Sequence, residues 1–312
     1  MKIGFATHTG RKRRHNEDSY VVEPPMFAVA DGMGGAKAGE VASGLAAAAL
    51  KETGTDGSSG EERVTQLIQE ANRRVFRRAN EDREASGMGT TMTVALVEDG
   101  RVVFGHVGDS RAYLIREGAI EQLTDDHSLV AELVRSGRLT PEEAEAHPQR
   151  SVITRAVGTE PDVDVDTFTI EPEAGDLFLI CSDGLTDMVD DGTIIDAIER
   201  HRDDLDEAAK ALVGAANRVG GEDNITVLLV EVGAEAEAAD TQRAEAVDVD
   251  EDTLSGLEAV PVVDTAVVPP EKAEALAAAE PPKRRGRALP IVSGLAVLLI
   301  AAAAVLWLLE NL

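Results

Sequence analysis

The stretch MFAVADGMGG, Met26 to Gly35, decides the reading of this chain. Five apolar residues run straight into Asp31, and glycine follows at once. A short apolar run bounded by glycine reads as a buried strand. A carboxylate beside glycine at a strand end is a hard-cation ligand whose neighbouring backbone can also approach the ion. Working outward, aspartate motifs recur in RRHNEDS around Asp18, GDSR around Asp109, SDGL around Asp183 and DNIT around Asp223. Each fragment alone is weak evidence, but the set in this order is specific.

Strand-like runs also occur in IGFATHT from Ile3, TTMTVALVED from Thr90, RVVFGHVG from Arg101, DLFLICSD from Asp176 and NITVLLVEV from Asn224. Apolar residues fall at helical spacing over 39–52, 61–80 and 205–219. Asp99-Gly100 is a tight-hairpin signal between two strands. Two long helices early, strands in antiparallel pairs and a helix pair late predict an α+β fold, a sheet sandwich covered by helices.

These motifs resemble those of the metal-dependent protein phosphatases, the type 2C serine/threonine phosphatases, and in particular their bacterial housekeeping branch. The likeness runs from about Ile3 to Val232 and includes GTTMTVAL from Gly89 and the flap-like HPQRSVITRAVG from His147. It implies a central antiparallel β-sandwich flanked by pairs of helices, in an α-β-β-α order. It further implies hydrolysis of phosphoserine and phosphothreonine in proteins by a water bridging two Mn²⁺ or Mg²⁺ ions. Asp31 would bridge both ions, the Gly32 carbonyl would hold one, and Asp183 and Asp223 the other. Asp109 would serve a third, weaker ion shared with Asp183; the competing reading is a turn aspartate capping the following hairpin. Asp18 would hydrogen-bond waters of the metal sites. Arg13 would bind the substrate phosphate, since a guanidinium meets phosphate oxygens with two parallel donors; the alternative is a solvated basic patch formed with Arg11, Lys12 and Arg14. The third position of DGxGG, a histidine and proposed general acid in many eukaryotic relatives, is Met33 here and has no proton to give. A pseudophosphatase would have lost a metal ligand, and Asp31, Asp183 and Asp223 are all present.

Composition agrees. Of 312 residues only 3% are aromatic and the formal charge is −28, which argues against any nucleic-acid partner. A single cysteine, Cys181, excludes an internal disulfide and reads as a buried strand residue. Six scattered histidines offer no zinc spacing. His127 and His147, which bracket a helical region over 128–146, read as surface or capping residues. Asp162, Asp164 and Asp166 read as the wet face of a strand. Asp187 and Asn224 read as groups that orient neighbouring ligands.

Beyond Val232 the character changes. Residues 233–280 hold 13 Asp/Glu against two basic residues, Arg243 and Lys272. That composition predicts a flexible linker over 233–288, ending in the basic run KRRGR, Lys283 to Arg287. The alternative is a regulatory tail docking on the domain. Residues 289–309 are 21 in a row without a charge, enough as a helix for a hydrocarbon core of roughly 30 Å. They are expected to anchor the chain as a single membrane span, with the catalytic domain, residues 1–232, on the cytoplasmic side of the cell membrane. The expected partners are phosphorylated proteins and the Ser/Thr kinase that modifies them.

Overall fold

The computed structural model describes residues 1–34, 38–53, 58–233 and 266–267. Two antiparallel sheets form its centre. The first runs β1(Lys2–His8), β12(Ile225–Glu231), β11(Leu177–Cys181), β7(Arg111–Arg116) and β8(Ala119–Gln122), in that spatial order. The second runs β10(Asp166–Ile170), β6(Arg101–Val107), β5(Met92–Glu98), β3(Met26–Met33) and β2(Asp18–Glu23), with the short β4(Gly89–Thr90) beside the end of β3.

The central strands read as nearly unbroken apolar runs because both their faces are covered. Phe27 and Val29 of β3, Phe104 of β6, Phe178 and Ile180 of β11, and Leu228 and Val230 of β12 fill the space between the sheets. The alternate residues of the same strands face outward under helices. Ala28 and Ala30 pack beneath α1(Ala38–Glu52) and α2(Gly60–Glu81). Leu179, Val227 and Leu229 pack beneath α6(Asp191–Arg200) and α7(Leu205–Val219). A period of two in side-chain direction thus serves two cores at once, and the layers stack helix, sheet, sheet, helix.

The helices over 39–52, 61–80 and 205–219 stand where the spacing predicts them. Asp99 and Gly100 take φ of 50° and 75°, the left-handed pair that a two-residue hairpin requires. The strand expected from Thr90 breaks at Thr91, whose N–H and hydroxyl are both engaged with Asp31. The strand expected through Asp162, Asp164 and Asp166 begins only at Asp166. The carbonyls of Glu160, Pro161 and Val163 accept from the Asn72 and Gln69 side chains of α2 instead of joining a ladder. The polar-ended strands β2 and β8 lack the long apolar runs of the central strands, and β7, RAYLIR, is likewise not among the strand-like runs read from the sequence.

Between β8 and β10 lies a flap carrying α3(Leu129–Arg135), α4(Pro141–Glu145) and β9(Val152–Ile153). Thr140 and Glu143 close a reciprocal capping box at α4. Within the acidic stretch, β13(Ala266–Val267) pairs in parallel with β9. The rest of that stretch and residues 289–309, read above as a membrane span, lie outside the described residues. Among the described residues no helix is long and apolar enough to cross a membrane.

Two glycines separate packing from propensity. A Cβ at Gly4 would come within 2.1 Å of the Leu205 carbonyl oxygen where β1 meets α7. One at Gly44, inside α1, would find nothing nearer than 3.9 Å. Gly4→Ala is therefore expected to cost about 2 kcal/mol or more by overpacking. Gly44→Ala should stabilise by about 0.5–1 kcal/mol through helix propensity. Urea unfolding of the two variants checks this; equal effects would contradict the close approach of β1 and α7.

Candidate metal centre

The aspartate motifs converge because strands from both sheets start or stop at one edge. Asp31 lies near the end of β3 and Asp18 opens β2, and the two are directly opposite in the ladder. Asp109 follows β6, Asp183 follows β11 as the first residue of α5(Asp183–Thr186), and Asp223 precedes β12. Like charges opposite one another in a ladder are destabilising unless something compensates them.

Each carboxylate is held through its backbone or its neighbours. The Asp31 carbonyl accepts from Thr91 N–H and from the Thr90 hydroxyl, both at 2.8 Å, and Asp31 N–H donates to the Thr91 hydroxyl at 2.9 Å. The Thr91 hydroxyl also bonds Ser110 at 2.7 Å, tying GTTMT to GDSR. Gly108, at φ 112°, presses so closely on Thr91 that a Cβ would lie 2.6 Å from it. The arginine of GDSR, Arg111, pairs with Asp126 at 2.7 Å. Gly184 performs the equivalent service for the late motifs: a Cβ there would lie 2.0 Å from the Asn224 carbonyl oxygen. That approach brings SDGL and DNIT together.

Asp18 is buried, and one oxygen accepts from Thr226 and Ser182 hydroxyls at 2.6 and 2.9 Å. Asn224 binds the N-terminal loop to the centre. Its amide donates to the carbonyls of Thr9 and His15, and its oxygen accepts from Glu17 N–H. This loop delivers Arg13, which donates to Asp223 Oδ2 at 2.7 Å. Arg11, Lys12 and Arg14 are exposed while Arg13 is turned inward, so the basic cluster is not a uniform solvated patch. Gly32 donates its N–H to the Glu17 carbonyl, and a Cβ on it would meet Gly39 of α1.

The electrostatics follow from this crowding. Burial first, then the charges of Asp18, Asp183, Asp223 and Asp109, hold the Asp31 carboxyl well above the ordinary carboxylate range. Burial, followed by Asp109, Asp223, Asp187 and Asp18, does the same to Asp183. Asp18 is pushed up to about 6, burial outweighing the Thr226 and Ser182 hydrogen bonds that favour its anion. Asp109 rises to about 7 through burial and then Asp126 and Asp187, against the pull of Arg111.

Such a cluster has the character of a cation site. Buried Asp18 Oδ1 and Asp183 Oδ1 have no hydrogen-bond partner, and buried acceptors left so are costly. Oxygen donors without sulfur or imidazole suit Mg²⁺ or Mn²⁺. Among the described residues no three His, Cys, Asp or Glu side chains form a closed ligand set. Ions that keep several waters do not need such a closed set.

All seven residues expected at the centre therefore gather at one edge of the sandwich. The sequence reading missed the hydroxyls that position them, Thr90, Thr91, Ser182 and Thr226, although each lies inside a motif already singled out. His127 needs correction: it is buried, not a surface residue. Its Nδ1 accepts from Gly108 N–H at 3.0 Å and its Nε2 lies 3.0 Å from Asp166, so it joins the flap base to the GDSR turn. His147 is partly exposed and accepts from Gln149 N–H in a turn. Asp187 stands at the exposed rim, and Cys181 is fully buried.

Comparison with known proteins agrees with this geometry. The sequence model of the protein phosphatase 2C family matches residues 9–222. The serine/threonine phosphatase stp of Listeria welshimeri is 43% identical over 242 residues, covering 74% of this chain and 96% of that protein. The crystal structure of the Mycobacterium tuberculosis serine/threonine phosphatase PstP/Ppp superposes with a TM-score of 0.70 at 39% identity, over 74% of this chain and 98% of that one. A further structure, the PstP catalytic domain in complex with two manganese ions, superposes at 0.68 with 38% identity, over 74% and 98% of the two chains. The chain belongs to the protein phosphatase 2C family of serine/threonine phosphatases.

Proposed function

We propose that this chain removes phosphate from serine and threonine side chains of proteins with the help of two Mn²⁺ or Mg²⁺ ions, opposing a Ser/Thr kinase at the membrane. The carrying observation is the convergence of Asp18, Asp31, Asp109, Asp183 and Asp223 where the sheets end, with Asp18 directly opposite Asp31 and buried oxygens of Asp18 and Asp183 left without a hydrogen-bond partner. Asp31, the Gly32 carbonyl, Asp183 and Asp223 would hold the two ions, and Asp109 with Asp183 a third. When bound, the ions supply an activated water nucleophile and neutralise the phosphoryl oxygens.

The protein's own groups do the rest. Asp18, fixed by Ser182 and Thr226, presents a buried acceptor that orients water beside Asp31. Arg13, already at the centre through Asp223, supplies a planar donor pair for the substrate phosphate. Met33 is buried and holds no transferable proton, so the leaving alkoxide takes its proton elsewhere. The membrane location rests on the uncharged run at 289–309 and its KRRGR flank.

Phosphothreonine-peptide hydrolysis by the purified chain should require Mn²⁺ or Mg²⁺ and vanish in EDTA. Asp31→Ala should reduce it on the order of a thousandfold; undiminished turnover would sink the assignment. Arg13→Ala should raise KM for the phosphopeptide roughly tenfold while Mn²⁺ affinity stays within about twofold. A loss of metal binding in place of the KM effect would make Arg13 a support for Asp223 only.

The raised carboxyls set a pH dependence with a definite sign. In the metal-free fold Asp18 and Asp109 keep their protons up to about 6 and about 7. Their folded pKa values exceed the ordinary carboxylate value, so their contribution to metal-free stability falls as pH rises through that window. A cation must displace those protons. The rise in melting temperature produced by Mn²⁺ should therefore grow between about pH 5 and about pH 7.5. An increment independent of pH would contradict protonated, uncompensated carboxyls in the metal-free site.

A further inference from the structure

The short flap strand β9 has two edges with different partners. On one side Ile153 forms an antiparallel bridge with Ser128, and Thr154 N–H donates to the His127 carbonyl. On the other side the chain's own Ala266 and Val267 pair in parallel with Val152 and Ile153. β9 is also mechanically close to the metal centre. Ile153, 1% exposed, packs with Ala156 and with Met33, two residues beyond Asp31. Whatever seats on the outer edge of β9 thus acts on a strand that packs directly on Met33 at the end of β3.

The sequence around the paired residues is distinctive. Residues 260–270 read VPVVDTAVVPP, a β-branched island with one acidic residue in an otherwise acidic, Ala-rich stretch. Valine and threonine favour extended, half-buried backbone, and flanking prolines exclude helix. An exposed strand edge is a template for adding a further extended segment. Extended peptides commonly bind in this way, with main-chain hydrogen bonds giving affinity and little sequence requirement.

Resting on the phosphatase reading, we propose that the outer edge of β9 is a strand-addition subsite for the backbone of phosphopeptide substrates, held in the free enzyme by the chain's own segment at Ala266–Val267. A two-residue ladder is weak by itself. Its outer strand belongs to the same chain, with 33 residues between Val232 and Ala266, so the pairing is intramolecular and needs no second molecule. The segment therefore competes with extended substrates and yields to those that pair better. A small phosphate ester has no backbone to place there and escapes the competition.

The test uses the full chain and a variant carrying Ala266→Pro with Val267→Pro, which removes both N–H donors of the segment. Hydrogen exchange with Mn²⁺ present should be at least about fivefold faster at Ile153 in the variant, while Val152 and Thr154, which donate to Gln149 and His127, change less. KM for a phosphothreonine peptide of about a dozen residues should fall roughly threefold or more, while kcat/KM for p-nitrophenyl phosphate stays within about 1.5-fold. Unchanged exchange would overturn the pairing. Equal kinetic effects on peptide and small ester, or none on the peptide, would overturn the competition. If the unsubstituted chain turned over neither substrate, the phosphatase reading would fail while the exchange result still reported on the pairing.

Discussion

The structure depends on a repulsion. Asp18 and Asp31 face each other across neighbouring strands, and Asp183, Asp223 and Asp109 are brought to the same edge from the other connections. Burial withdraws the water that would otherwise screen these charges. The fold tolerates the cluster because backbone bonds fix the aspartates independently of their charge. Thr91 clasps Asp31 from both sides, and Gly184 allows SDGL to rest on DNIT. Crowded carboxylates of this kind are where a scaffold departs from its own local rules, the usual relation between a functional site and its scaffold.

Much of this was legible in the sequence, for identifiable reasons. The central strands carry apolar residues on both faces, so β3, β6, β11 and β12 announced themselves as runs. The helices showed their 3.6-residue spacing, and Asp99-Gly100 its turn. Arg13 stood out from three basic neighbours by position alone, and it is the one turned inward. What stayed hidden depends on long-range partners. Nothing local shows that the carbonyls after Thr159 are taken by α2 side chains, which delays β10 to Asp166. Nothing local shows that His127 is buried at the joint between flap and GDSR turn.

Met33 has a packing role of its own. At the position where the family resemblance puts a histidine in many eukaryotic relatives, this chain places a buried thioether against Ile153 and Ala156 of the flap. A thioether is polarisable and adapts to irregular gaps, which suits a contact between the end of β3 and the flap. The flap thereby touches the centre at two points, through Met33 and through His127, so its position and the geometry around Asp31 and Asp109 are not independent.

The most direct test of the central claim is a calorimetric titration of Mn²⁺ into the metal-free chain at neutral pH, in two buffers of different ionisation enthalpy. The account requires saturable binding of at least two ions per chain with net proton release, and loss of that binding in Asp31→Asn. Binding without proton release, or binding that persists unchanged in the variant, would contradict a centre built from mutually raised carboxyls around Asp31.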